Sequence, residues 1–100
     1  AVRAVVATRF AEARQEAIEA DERVARGEEL PLLGVPCSIK EFVAVKGMPQ
    51  TAGILARQGV VADRDATVVA RLRRAGAIVL GVTNAPEGGL LAHIRLKKAP

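Results

Sequence analysis

Residues 65–83 constrain the fold more than any other part of this 100-residue chain. Asp65 precedes a short segment in which Val68, Val69 and Leu72 form one apolar stripe, and its carboxylate is suited to accept bonds from the first free amides of a helix. That helix should end near Ala75, with Gly76 as its left-handed stop. Residues 77–83 follow as a continuous apolar, β-branched run of strand length, the pattern of a strand covered on both faces. Upstream, residues 35–40 alternate, with Val35, Cys37 and Ile39 on one face and Ser38 and Lys40 on the other. Pro36 has no amide hydrogen and fits the first residues of such a strand. Strand, crossover, helix and strand make a βαβ unit, whose strands should be parallel and whose crossover should be right-handed. The expected fold class is therefore α/β.

The flanking segments fill in this frame. Val2, Val6, Phe10, Ala13, Ala17, Ala20 and Val24 recur at three- and four-residue steps, so residues 1–26 read as one long amphipathic helix stopped by Gly27. Glu22 and Arg26 stand at the favourable acid-first spacing on its polar face, which Arg9, Glu12, Glu16 and Glu19 share. This helix is expected to pack across the core. Residues 41–64 lack a clear period, and Lys46-Gly47-Met48-Pro49 and Thr51-Ala52-Gly53 have turn chemistry. A connection of this length within a small domain is usually functional or carries some structure of its own.

Composition excludes several classes. Half of the residues are apolar and 26% are charged, yet no apolar run approaches the roughly 18 residues of a membrane helix. Phe10 and Phe42 are the only aromatics, so aliphatic side chains must build the core. The net charge of +4 could suggest a nucleic-acid partner, but it gathers in Arg71, Arg73, Arg74 and the tail at 93–98, with no aromatics interleaved for base stacking. A solvated basic face is the ordinary reading, and no nucleic-acid partner is expected. Cys37, the single cysteine, cannot form an internal disulfide and points to a reducing compartment, hence to the cytoplasm. No signal peptide is visible.

Lys40 is the candidate for chemistry, because ligand sites in α/β folds lie at the carboxyl ends of strands. A lysine in water is protonated, with a pKa of about 10.4, and accepts no proton at neutral pH. A base made from one needs burial to disfavour the ammonium form. By alternation Glu41 faces away and need not hold that charge in place. The other candidates have simpler readings. Ser38 shares the face of Lys40 but is structural or supporting rather than nucleophilic, Cys37 is a small buried hydrophobe, and His93 stands alone in the tail. Residues 81–89 lack the spacing of a dinucleotide or phosphate loop. No His, Cys, Asp or Glu cluster has ligand spacing, so neither metal nor cofactor is expected.

The stretch from Leu30 through Gly34-Val35-Pro36-Cys37-Ser38-Ile39-Lys40-Glu41 to Thr51-Ala52-Gly53 resembles the opening motif of the amidase signature family, serine hydrolases that cut carboxamide C–N bonds. Asp65-Ala66-Thr67-Val68-Val69-Ala70-Arg71-Leu72 and Gly76-Ala77-Ile78-Val79-Leu80-Gly81-Val82-Thr83-Asn84-Ala85-Pro86-Glu87 resemble the family's next segments, in the same order. The resemblance covers most of residues 30–89 and implies that the helix and the βαβ unit belong to the mixed-sheet core of such a domain. It further implies that Lys40 is the base of a Ser–Ser–Lys triad, with Thr83 and Asn84 supporting the pocket. The family's Gly-Gly-Ser-Ser-Gly-Gly-type segment, which supplies both serines, is absent, and residues 90–100 depart from the pattern. The chain therefore reads as an amino-terminal part of an amidase domain, inactive by itself. Its parent would act on a small-molecule or lipid amide and could form a homodimer. Lys40-Glu41-Phe42 and Asn84-Ala85-Pro86-Glu87 look nearer the general and fatty-acid-amide-type hydrolases. The alternatives are the glutaminase component of a transfer-RNA amidotransferase and a catalytically dead truncated product that binds or oligomerises.

Overall fold

The computed structural model describes residues 5–84. Three strands form one mixed sheet: β1 (Val5–Thr8), β2 (Pro36–Lys40) and β3 (Ile78–Thr83), in the order β1-β3-β2. The β2 and β3 strands pair in parallel, as the βαβ reading requires, while β1 pairs antiparallel with β3. Among the described residues the sheet is joined by two α-helices, α1 (Phe10–Ala25) and α2 (Thr67–Arg74).

Of the segment read as a helix over 1–26, residues 1–4, Val2 among them, lie outside the described residues, and the described part is two elements. Val5, Val6, Ala7 and Thr8 pair with the sheet, and only from Phe10 does the chain turn helical. β-Branched side chains suit a pleated surface, and the open edge of β3 offers a ladder that isolated helical spacing cannot match. Of the proposed stripe, Ala13 and Ala20 are buried whereas Phe10 and Val24 are about half exposed. Arg26 also pairs with Glu28, at 2.8 Å, rather than with Glu22.

Both faces of the sheet are covered. On one, Ala13 and Ala20 of α1 pack with Ile78, Leu33 and Leu80. On the other, Val69, Ala66 and Leu72 from the α2 region pack with Cys37, Ile39, Val79, Val82, Val45 and Met48. Val79 and Val82 share a face although three residues apart. The register shift that leaves Leu80 as an extra residue opposite β2 makes this possible. Gly81 lies where β1 crosses closest, and a Cβ there would run into the Ala7 carbonyl and the Thr8 backbone.

Arg9 secures the corner between β1 and α1. Its amide donates to the Leu80 carbonyl at 2.9 Å, and its guanidinium donates to the Val79 carbonyl at 2.7 Å and also binds Glu16. Helical spacing alone would leave this residue on a solvated face. Asp65 also departs from its expected part: Ala66 is the cap residue of α2, with no side-chain cap bond. The Asp65 carboxylate instead accepts the Lys46 amide at 2.8 Å and lies 3.5 Å from Arg73, so it ties the long connection to α2. The ends of both helices fall where expected, before Gly27 and before Gly76.

The candidate active site at the carboxyl end of the parallel strands

The parallel pair ends at Lys40 and Thr83, which are register partners. Ile39 and Val82, the residues before them, both belong to the core on the α2 side, so Lys40 and Thr83 project to the opposite face. Lys40 is 4% exposed and Thr83 5%. The Thr83 hydroxyl lies 3.5 Å from the Ile39 carbonyl. Asn84 follows at the surface, and Ser38 shares the strand face of Lys40 and is half-buried. Cys37 is buried within the apolar cluster, in the place expected of it. The structure thus brings Lys40 and Thr83 side by side and sets Asn84 next along the chain. His93, residues 85–89 and the tail at 90–100 lie outside the described residues.

The backbone is fixed as closely as the side chains. Glu41 N–H donates to the Thr83 carbonyl at 2.7 Å, and Val43 N–H donates to the Lys40 carbonyl at 2.9 Å. Beyond them the connection doubles back on itself. Gly47 N–H bonds the Ala62 carbonyl, Ala62 N–H the Met48 carbonyl, and Gln50 N–H the Val60 carbonyl, with Pro49 and Val61 in an antiparallel bridge. Val45 and Met48 anchor the base of this excursion in the core, while a 3-10 turn at Leu55–Arg57 forms its far end. A segment without sequence period thus acquires order from two buried side chains and a short ladder.

Sequence reasoning does not single out Glu41 as a buried group, yet it is 4% exposed. Its carboxylate accepts Thr51 N–H at 2.8 Å, the Thr51 hydroxyl at 2.7 Å and Ala52 N–H at 2.7 Å. Burial pushes the Glu41 carboxyl upward, but the Thr51 and Ala52 hydrogen bonds, with Arg57 nearby, outweigh it and hold the group below the usual glutamate range. The signal for this lies in the turn itself: Thr51-Ala52-Gly53 offers a run of donors ten residues past a carboxylate.

Two hollows lie away from this end of the sheet. One of about 460 Å³ sits against α1, between Phe10, Ala13, Ala17, Pro36, Ile78 and Leu80. Another of about 240 Å³ is lined by Glu16, Glu19, Arg23, Arg73 and the Gly76 turn. Among the described residues there is no group of three or more His, Cys, Asp or Glu side chains placed to hold a metal. No helix among them is long and apolar enough to cross a membrane.

A model of the Amidase family matches residues 1–95. Fatty-acid amide hydrolase 2-A of Danio rerio is 47% identical over 94 aligned positions, covering 86% of this chain and 18% of that protein. A glutamyl-tRNA(Gln) amidotransferase component from Desulforapulum autotrophicum is 41% identical over 78 positions, covering 78% of this chain and 16% of that one. The solved peptide amidase of Stenotrophomonas maltophilia superposes with a TM-score of 0.72 at 42% identity, over 82% of this chain and 17% of its own. This chain spans less than a fifth of the length of each of these three proteins. The matching motifs, the mixed sheet and the family model lead to one conclusion: the chain belongs to the amidase family.

Proposed function

We propose that this chain is the lysine-bearing part of an enzyme that hydrolyses carboxamide C–N bonds through an acyl-serine intermediate. The observation that carries the reading is the burial of Lys40 at the carboxyl end of β2, beside Thr83 on β3. In this scheme the nucleophilic serine attacks the amide carbonyl carbon while its proton passes through a bridging serine to the Lys40 amine. The same proton returns to the departing nitrogen as the C–N bond breaks, and water then cleaves the acyl ester by the reverse relay. Thr83 and Asn84 support the floor of the pocket.

Ser38 is the chain's one serine, so at least one of the two serines of a Ser–Ser–Lys relay must come from elsewhere. Residues 1–100 alone are therefore expected to release no ammonia from amides. The favoured substrate class is a general or fatty-acid amide, in keeping with the fatty-acid amide hydrolase relative. The amidotransferase relative supports a second reading, in which glutamine is the amide and ammonia passes to a partner active site. Ammonia release by the full-length protein decides between them. Turnover of a fatty-acid primary amide without turnover of glutamine supports the first, glutamine turnover alone supports the second, and turnover of neither overturns both.

A further inference from the structure

Among the described residues Glu41 is the buried carboxylate, and it directly follows the candidate base. Its surroundings form a small anion nest. Ala52 has a positive φ of 55° and Gly53 one of 75°, and this curl brings the Thr51 and Ala52 amides together on the two carboxylate oxygens. The Thr51 hydroxyl donates to Glu41 and accepts Gly53 N–H at 3.2 Å, which closes the turn. An alanine held at positive φ carries backbone strain, and here the strain is offset by bonds to a single ionised side chain. Those bonds join the excursion at residues 47–62 to the last residues of β2, where Glu41 N–H and the Lys40 carbonyl are already engaged.

Resting on the reading of Lys40 as proton acceptor, we propose that Glu41 is its positioning residue. By binding the turn of Thr51 and Ala52, Glu41 fixes the backbone from which the lysine side chain leaves the strand. Misplacing a catalytic group by about 1 Å can cost on the order of a hundredfold in rate, so a tie at this point acts on the chemical step. Glu41→Gln keeps the shape but turns one oxygen acceptor into an NH₂ group that faces donors. Glu41→Asp keeps the charge on a shorter arm.

The test uses the full-length enzyme that carries this chain, with kcat expressed per folded molecule. Glu41→Gln should lower kcat at least about tenfold while KM stays within about twofold, and Glu41→Asp should recover most of the loss. Thr51→Ala removes one of the three bonds and should shift kcat in the same direction by less. Amide exchange at Thr51 and Ala52 reports the clamp independently of turnover. Wild-type kcat in Glu41→Gln with faster exchange at those amides would show a purely structural tie and overturn the proposal. If Glu41→Gln does not fold, an unchanged kcat in Thr51→Ala overturns it equally. Lys40→Ala in the same assay keeps the two readings apart. Retained activity there removes the base assignment and the positioning role with it, whereas a dead Lys40→Ala beside a fully active Glu41→Gln removes the positioning role alone.

Discussion

Lys40 and Glu41 are neighbours in sequence and equally buried, one an amine and the other a carboxyl, yet the fold treats them differently. Lys40 is still within the strand and shares its register position with Thr83, whereas Glu41 lies just past the strand, its amide on the Thr83 carbonyl and its carboxylate bound by Thr51 and Ala52. The second arrangement has a pH signature. The folded-state pKa of Glu41 is depressed, so its ionised form is favoured by folding. Its contribution is complete above the ordinary glutamate value of 4.5 and is lost as pH falls through the lower folded-state value. An acid titration followed by NMR should show the Glu41 carboxyl and the Thr51 and Ala52 amides shifting together, with a midpoint below that value. Glu41→Gln should abolish the transition, and a Glu41 midpoint at or above 4.5 would contradict the clamp.

At the scale of elements, the loop before β2 and the turn before β3 press together. Leu32 N–H bonds the Ala75 carbonyl and Gly34 N–H the Gly76 carbonyl. Gly76 has φ of 103°, and a Cβ there would lie 2.5 Å from the Leu33 Cα. Gly76→Ala therefore combines backbone strain with a backbone clash and should cost about 2–4 kcal/mol, read as a lowered denaturation midpoint in the full-length protein. A change below about 0.5 kcal/mol would contradict this packing. The parallel pair, α2 and the Gly76 stop are legible in the sequence because apolar run, helical stripe and glycine all agree. The β1 strand is not legible. Val6 continues the spacing of α1 by coincidence, and the free edge of β3 decides between helix and strand. The cap expected of Asp65 fails for a related reason: capping is a local rule, and the competing Lys46 amide arrives from 19 residues away. The excursion at 47–62 shows no period because few of its side chains are buried, Met48 and Ala62 at its base among them.

For the whole molecule, the three-stranded sheet has two outer edges, and apolar side chains remain at the surface on several elements. Phe10, Ile18 and Val24 on α1 and Leu55 at the far end of the excursion are about half or more exposed. Unpaired edges and apolar patches promote association. Residues 1–100 in isolation should therefore show concentration-dependent association in sedimentation and a broad thermal transition. A sharp, concentration-independent melt of a monomer would contradict this and would favour a self-standing binding module. The candidate site is legible in the sequence to the extent that one strand and its terminal residue define it: Lys40 closes β2, as its alternation implies, with Thr83 as its register partner. The Glu41 clamp is legible only as the run of donors at Thr51-Ala52-Gly53, because the positive φ of Ala52 that gathers those amides is encoded by no pattern of polarity.

Everything proposed for catalysis depends on the Lys40 amine accepting the proton in amide cleavage. The most direct measurement is steady-state hydrolysis of a primary carboxamide by the full-length protein and its Lys40→Ala variant, per folded molecule. The expected result is a loss of at least about a thousandfold in kcat. A variant that folds and turns over at the wild-type rate would contradict the assignment.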